Sequence, residues 1–550
     1  MNEIDVAFPD GSRLRCPYGT RAEALKERFG ELPHPLVAVR ANNEILPIAT
    51  RLEVNVLLEP ITLESIEGAM IYRRSLSFLL AVAGRELFAE RNLVVGHSLG
   101  NGYYYAFTDE HSLSLQELRN LETRMREIVQ EDLPIHFRFI SYADALAVFA
   151  QNGQTDTALL MEQMNDAKVS VNECRGFLDL SIAPLVPRTS ILTSFELMSY
   201  ENGFLLRYPG VGSGSVAPFE DSPRIFSVYK EYKKWGRIVG ISCVGHLNKL
   251  VAKKEIKSFI QIAEAFQSRK LYDVADRIYE RRESVKVILI AGPSSSGKTT
   301  TAKRLSILLK VMGLEPMAIG LDDYYVGRAR TPKDANGEPD YECLEALDVE
   351  YLNEQLLALF RGEEVELPIF DFKLGTRRES GRKMRMGRRT VLIIEGIHGL
   401  NDALTSQIDK EQKFKLYVSA LTQLNLDDHN RVPTSDNRLI RRMVRDYQFR
   451  SHDAVQTIKM WPNVQAGERK HIFPYQNGAD VAFNSALDYE LSVLKVYAEP
   501  LLRSVKPIMN EYAEASRLLG FLENFTTIPP QYVPSQSILR EFIGESEFKY

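Results

Sequence analysis

The chain has 550 residues, 44% hydrophobic and 26% charged, so it can bury several cores and is not a disordered polymer. At roughly 100–200 residues per domain, that length corresponds to about three or four domains. A formal net charge of −5 excludes a surface built throughout for nucleic acid, while leaving room for a local basic patch.

Apolar runs such as 285–291 fall far short of the roughly 18 residues that span a bilayer, and no basic-then-apolar leader opens the sequence. A cytoplasmic protein with no membrane partner is therefore expected. The cysteines Cys16, Cys174, Cys243 and Cys343 form no Cys-x-x-Cys pair, which suits reduced thiols better than a disulfide scaffold or a zinc ribbon.

Residues 1–60 read as a small β-rich unit. A strand over Ile4–Phe8 meets the turn Pro9-Asp10-Gly11-Ser12, a helix pattern runs from Thr20 to Phe29, and strands follow at Leu36–Arg40 and Val54–Leu58. The β-β-α-β-β order with this turn resembles the TGS domain, a β-grasp module. Residues 61–225 read as α+β, with amphipathic patterns over 66–90 and 113–131 and strands at 103–107 and 203–207. Ser114 and Glu117 have the spacing of a capping box.

Four stretches carry a further resemblance: Arg73-Arg74-Ser75-Leu76-Ser77-Phe78, Asn101-Gly102-Tyr103-Tyr104-Tyr105, Glu131-Asp132-Leu133-Pro134 and Glu173-Cys174-Arg175-Gly176. Together with the first unit they are similar to the N-terminal editing half of threonyl-tRNA synthetase. That family places two histidines on the first helix and a Cys-x-x-x-His pair further on as a metal-type cluster. Arg74, Phe78 and Leu178 stand at three of those positions, and only Cys174 remains. One thiol cannot hold zinc, which needs three or four ligands. The unit is therefore expected to be a scaffold or binding surface that has lost deacylase chemistry. Residues 226–284 read as a helical connector.

The strongest signal is the apolar run Val285–Ala291 followed by Gly292-Pro293-Ser294-Ser295-Ser296-Gly297-Lys298-Thr299-Thr300, which passes directly into a helix pattern. Glycines at these positions let backbone N–H groups curl around phosphates at a helix N-terminus. Lys298 is placed to reach the β- and γ-phosphates of ATP, and the Thr299 hydroxyl to hold Mg²⁺. A second buried-strand run, Thr390–Ile394, ends at Glu395, where a P-loop enzyme holds its metal. Apolar strands alternating with helices imply a parallel sheet. The expected fold is thus multidomain: β-grasp, an α+β synthetase-like unit, and over 285–550 an α/β P-loop kinase with a C-terminal helical tail.

No Asn-Lys-x-Asp guanine motif appears. Instead come Leu321-Asp322-Asp323-Tyr324-Tyr325, then Pro339-Asp340-Tyr341-Glu342, then Pro368-Ile369-Phe370-Asp371-Phe372, and last Thr434-Ser435-Asp436-Asn437-Arg438 with Arg441, Arg442 and Arg445. In order and spacing these resemble the uridine kinase and phosphoribulokinase family over roughly 285–490. The resemblance implies Asp322 as general base, Tyr325 and Tyr341 lining the acceptor pocket beside Phe370, and Glu342 on ribose hydroxyls. It also implies a lid whose arginines Arg438, Arg441 and Arg445 close over the transferring phosphoryl, with Arg438 and Arg441 also touching substrate.

Three departures bear on the acceptor. Gly375 replaces a base-reading histidine, Phe370 replaces a tyrosine, and Cys343-Leu344 replaces His-Pro. A pocket that loses polar partners for a base loses discrimination. The expected activity is ATP- and Mg²⁺-dependent phosphorylation of a hydroxyl on a nucleoside-like small molecule, uridine or cytidine at the 5′-OH first among them. The alternative is an ATP-switched protein that binds RNA or tRNA. The basic run 377–389 reads as a solvated loop, His398 as a packed strand-end residue, and a homo-oligomer is compatible with the sequence.

Overall fold

In the computed structural model, which describes residues 3–109, 111–333, 337, 339–371 and 374–550, the run after Val285 becomes the centre of a five-stranded parallel sheet. The strands are β1 (Val287–Ala291), β2 (Glu315–Gly320), β3 (Thr390–Glu395), β4 (Lys413–Ser419) and β5 (Val481–Asn484), in the spatial order β2-β3-β1-β4-β5. Every residue of β1 is buried because both faces of the sheet are covered. Val287 and Leu289 pack with Leu352, Leu356 and Leu359 of α2 (Val349–Phe360), while Ile288 and Ile290 pack with Leu305 and Leu309 of α1 (Lys298–Val311). Two-sided burial is the reason the run shows no polar alternation.

The topology gathers three loops at one edge. β1 ends in the glycine-rich loop, β2 in a 3₁₀ turn over Leu321–Tyr324, and β3 in Glu395. Glu395 lies opposite both Ile290 and Gly320 in the strand register, so the acids of two loops lie on one side of the P-loop. The C-terminal edge of parallel strands is where open α/β sheets bind ligands.

The first 60 residues form a five-stranded mixed sheet in which Glu3–Ala7 pairs in parallel with Val56–Thr62, with a 3₁₀ segment over Ala22–Phe29 where an α-helix pattern is read in the sequence. The long helix runs Ile66–Leu87, and Leu115–Gln130 begins with the capping box of Ser114 and Glu117. Strands Gly102–Phe107 and Gly203–Arg207 pair antiparallel within a four-stranded sheet.

Residues 226–284 do more than connect. Helices Pro223–Ile238, Val244–Ala252 and Ile256–Glu280 place Leu247, Phe259, Ile260 and Leu271 in the same apolar cluster as Ile288 and Ile290, along with Phe149 and Val171 of the synthetase-like unit. The apolar core therefore runs unbroken across residues 225 and 284. A buried loop locks the two halves: Asp428 accepts hydrogen bonds from Asn92 Nδ2 (2.8 Å) and from the Thr157 amide and hydroxyl (2.9 and 3.0 Å), and Asn425 donates to the Val95 carbonyl at 2.7 Å. All four cysteines are free and buried. Among the described residues no helix is long and apolar enough to cross a membrane.

Candidate active site

The phosphate-binding loop is shaped by two left-handed residues, Ser295 (φ 58°) and Gly297 (φ 80°). A Cβ on Gly292 would stand 1.9 Å from the Val418 carbonyl oxygen, so only glycine lets the loop leave β1 against β4. Lys298 curls beneath the loop and donates to the carbonyls of Gly292 (2.9 Å) and Pro293 (3.1 Å). Burial lowers the pKa of its ammonium, against the pull of Glu395 and Glu541. Ser295 and Ser296 bury hydroxyls that have no partner among the described residues.

Thr299 donates to Glu395 Oε1 at 3.0 Å. The other carboxylate oxygen of Glu395 is buried and unpartnered, and burial raises this carboxyl's pKa against the opposing Lys298 and Thr299. A hydroxyl, a carboxylate with a free oxygen, and Asp322 nearby form a hard-oxygen donor set that fits Mg²⁺.

Asp322 accepts no hydrogen bond among the described residues. The residue is exposed yet its carboxyl is crowded by protein, and that crowding raises its pKa, with Lys298 opposing and Asp323 reinforcing. Its neighbour Asp323 is engaged instead in holding the Phe370 amide at 3.3 Å. The two adjacent acids thus divide into one free group and one brace.

On the acceptor side the structure brings together Tyr325, Tyr341 and Phe370. The Tyr325 ring lies 5.4 Å from Phe370 and 5.7 Å, edge-on, from Tyr341. The Tyr325 hydroxyl donates to the Tyr341 carbonyl at 3.3 Å. Glu342 lies near Gly467, and burial followed by Glu468 raises its pKa while Arg442 opposes. Gly375 has φ 66°, accepts the Arg328 amide at 2.9 Å, and leaves only 3.0 Å between a built Cβ and the Arg328 Cβ. The base-reading position is therefore closed to a histidine by conformation and by Arg328. Phe372 of the same motif lies outside the described residues.

Two of the arginines expected in a lid are engaged within the fold. Arg438 is buried in an ion pair with Glu468, and Arg441, fully buried in α3 (Thr434–Phe449), is paired with Glu490. Arg441 also donates to the Ser295 carbonyl at 3.3 Å and the Ser485 carbonyl at 3.0 Å. Regular i, i+3 spacing puts both on the buried face of the helix. Arg445, its side chain only 13% exposed, is paired with Asp446, and its charge bears on Lys298, as that of Arg450 bears on Asp322.

Five contacts to the loop, from four residues, are not legible in the sequence. Glu468 accepts the Ser294 amide at 2.9 Å, and Arg442 donates to the Ser294 hydroxyl at 2.8 Å. Glu541 accepts both the amide (3.1 Å) and the hydroxyl (2.6 Å) of Thr300, whose hydroxyl also meets Tyr550 at 2.8 Å. A carboxylate at a helix N-terminus takes the place an anionic ligand favours. Glu541→Gln, which keeps an acceptor but drops the charge, is expected to tighten ATP binding by roughly three- to tenfold, about 0.7–1.4 kcal/mol, measured by calorimetry at low salt. Equal affinity in the two proteins would mean that the carboxylate does not oppose the nucleotide.

The basic run forms one arm of the hairpin Glu364–Asp371/Thr376–Arg385 and pairs with acids: Arg377 with Asp348, Arg378 with Asp371, Lys383 with Glu364, Arg389 with Glu315. His398 is buried with both ring nitrogens unpartnered, and burial pushes its pKa down to about 4. In the synthetase-like unit Cys174 is buried, its thiol pushed up by burial to about 11, and Phe78 packs 5.8 Å from Phe177. Asp156, Cys243 and His246 bring three ligand atoms within 4.8 Å. Cys243 Sγ already meets His246 Nδ1 at 3.1 Å, and the buried Lys233 supplies a cation to the same group.

Residues 287–492 match the Phosphoribulokinase / Uridine kinase family. Toward the N-terminus the chain is 32% identical over 205 residues to threonine–tRNA ligase of Citrifermentans bemidjiense, covering 37% of this chain and 32% of that protein. It is 30% identical over 203 residues to the ligase of Symbiobacterium thermophilum, covering 36% and 31%. The chain thus spans about a third of the length of these curated relatives. Among solved structures it is similar to a putative fructose transport system kinase from Silicibacter sp. TM1040 (19% identity, 38% of this chain, 98% of that chain, TM-score 0.28). It is also similar to a possible uridine kinase from Bacillus stearothermophilus (21% identity, 39% and 98%, TM-score 0.27).

Proposed function

We propose that the protein transfers the γ-phosphoryl of ATP, with Mg²⁺, to a hydroxyl of a nucleoside-like small molecule. The observation that carries this reading is the free carboxylate of Asp322 beside a phosphate-binding loop whose Lys298 and Thr299 are paired with main-chain carbonyls and Glu395. The match of residues 287–492 to the kinase family supports it. Asp322 accepts the proton of the acceptor hydroxyl as that oxygen attacks phosphorus, and Lys298 neutralises charge on the phosphoryl oxygens. Thr299 and Glu395 would hold Mg²⁺, which supplies Lewis-acid polarisation of the phosphates. Arg445 and Arg450, rather than Arg438 and Arg441, are the arginines that face the reacting groups.

The acceptor is a uridine- or cytidine-like compound held by Tyr325, Tyr341, Phe370 and Glu342. The backbone at Gly375 removes one means of reading the base, so selectivity among acceptors is expected to be low. ATP consumption with Mg²⁺ against nucleosides and sugar phosphates, with Lys298→Ala as the blank, tests the proposal. Turnover with at least one hydroxyl acceptor and none in the variant is expected; no turnover above the blank with any acceptor would defeat it. The synthetase-like half is then a docked accessory unit, and RNA binding by it would be the competing outcome.

A further inference from the structure

Between the helix Ile66–Leu87, the sheet carrying Tyr103 and the loop that leads into α3 lies a cavity of ≈ 1610 Å³. The P-loop residues 292–300 are not in its wall. Three of its lining arginines have no acid partner among the described residues. Arg73 lies over the Tyr208 ring (4.8 Å to the centroid) and Arg431 over the Tyr103 ring (5.1 Å), and each buries an Nε without a hydrogen-bond partner. The two rings meet edge-on at 5.0 Å, and both guanidinium charges act on Tyr208. Arg74 joins them: it makes no ion pair among the described residues, and burial followed by the like charge of Arg517 presses its pKa down, with Asp436, Tyr103 and Glu514 opposing.

Several other charged groups of the wall are already matched. Arg517 is paired with Asp436, Arg438 with Glu468, and His429 lies 3.2 Å from Asp179. Three guanidinium groups without an ion pair leave two buried Nε–H donors unsatisfied, and placing like charges together in a partly buried wall is costly unless an anion joins them. His97, buried at 6% exposure with its Nδ1 unpartnered, adds a polar group to the same wall.

We infer that this cavity binds a small molecule bearing a phosphate group, held by Arg73, Arg74 and Arg431 against the Tyr103–Tyr208 pair. A phosphate offers enough oxygens for several planar guanidinium forks at once, where a carboxylate satisfies one. A polyanion is disfavoured because the remaining wall also carries the acids Asp166, Glu220 and Glu523. The far wall carries Glu468, whose second oxygen holds the Ser294 amide of the P-loop, so the cavity and the loop share one side chain.

The inference stands apart from the kinase reading and is tested in a parent protein that minimises the P-loop's contribution. Full-length Lys298→Ala is titrated by calorimetry with inorganic phosphate and with ribose 5-phosphate, beside Lys298→Ala/Arg74→Gln/Arg431→Gln and wild type. Saturable binding in wild type and in the parent, weakened at least about tenfold in the triple variant, is expected. Removing two repelling buried charges should leave the melting midpoint of the triple variant equal to the parent's or above it, which separates lost binding from lost folding. Arg74→Lys, which keeps charge but not the fork, should weaken binding to an intermediate degree. Binding unchanged in the triple variant, absent from the parent, or seen only with an RNA oligonucleotide lacking a terminal phosphate would overturn the inference.

Discussion

Replacing Asp322 by Asn is expected to lower kcat by about 10²–10⁴ while ATP binding stays within about twofold of wild type, the effect of removing a general base and nothing else. The asparagine keeps the shape of the side chain, and no hydrogen bond to the carboxylate is lost among the described residues. Because crowding holds the carboxyl above its ordinary pKa, the ionised form is the less favourable one in the folded protein. Asp322 therefore adds to stability at low pH, and that contribution disappears as pH rises through its folded pKa. At neutral pH the variant should melt no lower than wild type. The same shift sets the pH profile: activity needs the ionised base, so the acid limb of kcat/KM should lie above the usual carboxylate value of about 4. The limb should vanish in the variant. A limb that persists would transfer the role to Glu395, whose carboxyl is also raised by burial and lies beside the same lysine.

The parts of this site that can be read from sequence are those fixed by local chemistry. Gly292, Gly297, Lys298 and Thr299 are legible because the loop needs left-handed backbone, close approach and a helix start within nine residues, and all of that is written consecutively. Glu395 is legible because a buried strand announces its own end. The capping box at Ser114 and Glu117 is likewise a short-range feature. What escapes the sequence comes from far along the chain. Glu541 is 241 residues from Thr300 and Glu468 is 174 from Ser294, and an acid in a helix or tail carries no mark of the amide it will meet. The packing of the helical segment 226–284 is hidden for a related reason. Its amphipathic helices show an apolar face, but not that the face continues the core around Ile288. The arginines of α3 fail differently: the spacing correctly puts Arg438 and Arg441 on one face, but whether that face looks at a ligand or at Glu468 and Glu490 is decided by packing.

That last difference can be measured. Arg441→Met is expected to cost about 3–5 kcal/mol of stability, because it leaves Glu490 ionised and buried without its partner. The glutamate would retain only the Asn437 side chain and, at 3.3 Å, the Leu487 amide, too little to hold a charge out of water. Ser295 and Ser485 would lose donors at the same time, and the Phe542 ring would lose the guanidinium 4.9 Å from its centroid. A urea midpoint well below wild type, followed through the region around α3, is the expected reading. A lid arginine would behave in the opposite way, giving unchanged stability and a fall in kcat of about 10³ or more. The double variant Arg441→Met/Glu490→Met separates the pair from its surroundings: replacing both charges by apolar groups of similar reach should restore much of the lost stability. Restored stability with near-normal turnover would make the pair a strut behind the P-loop. Restored stability with turnover still down a thousandfold would return Arg441 to the chemistry and displace Arg445 and Arg450 from it.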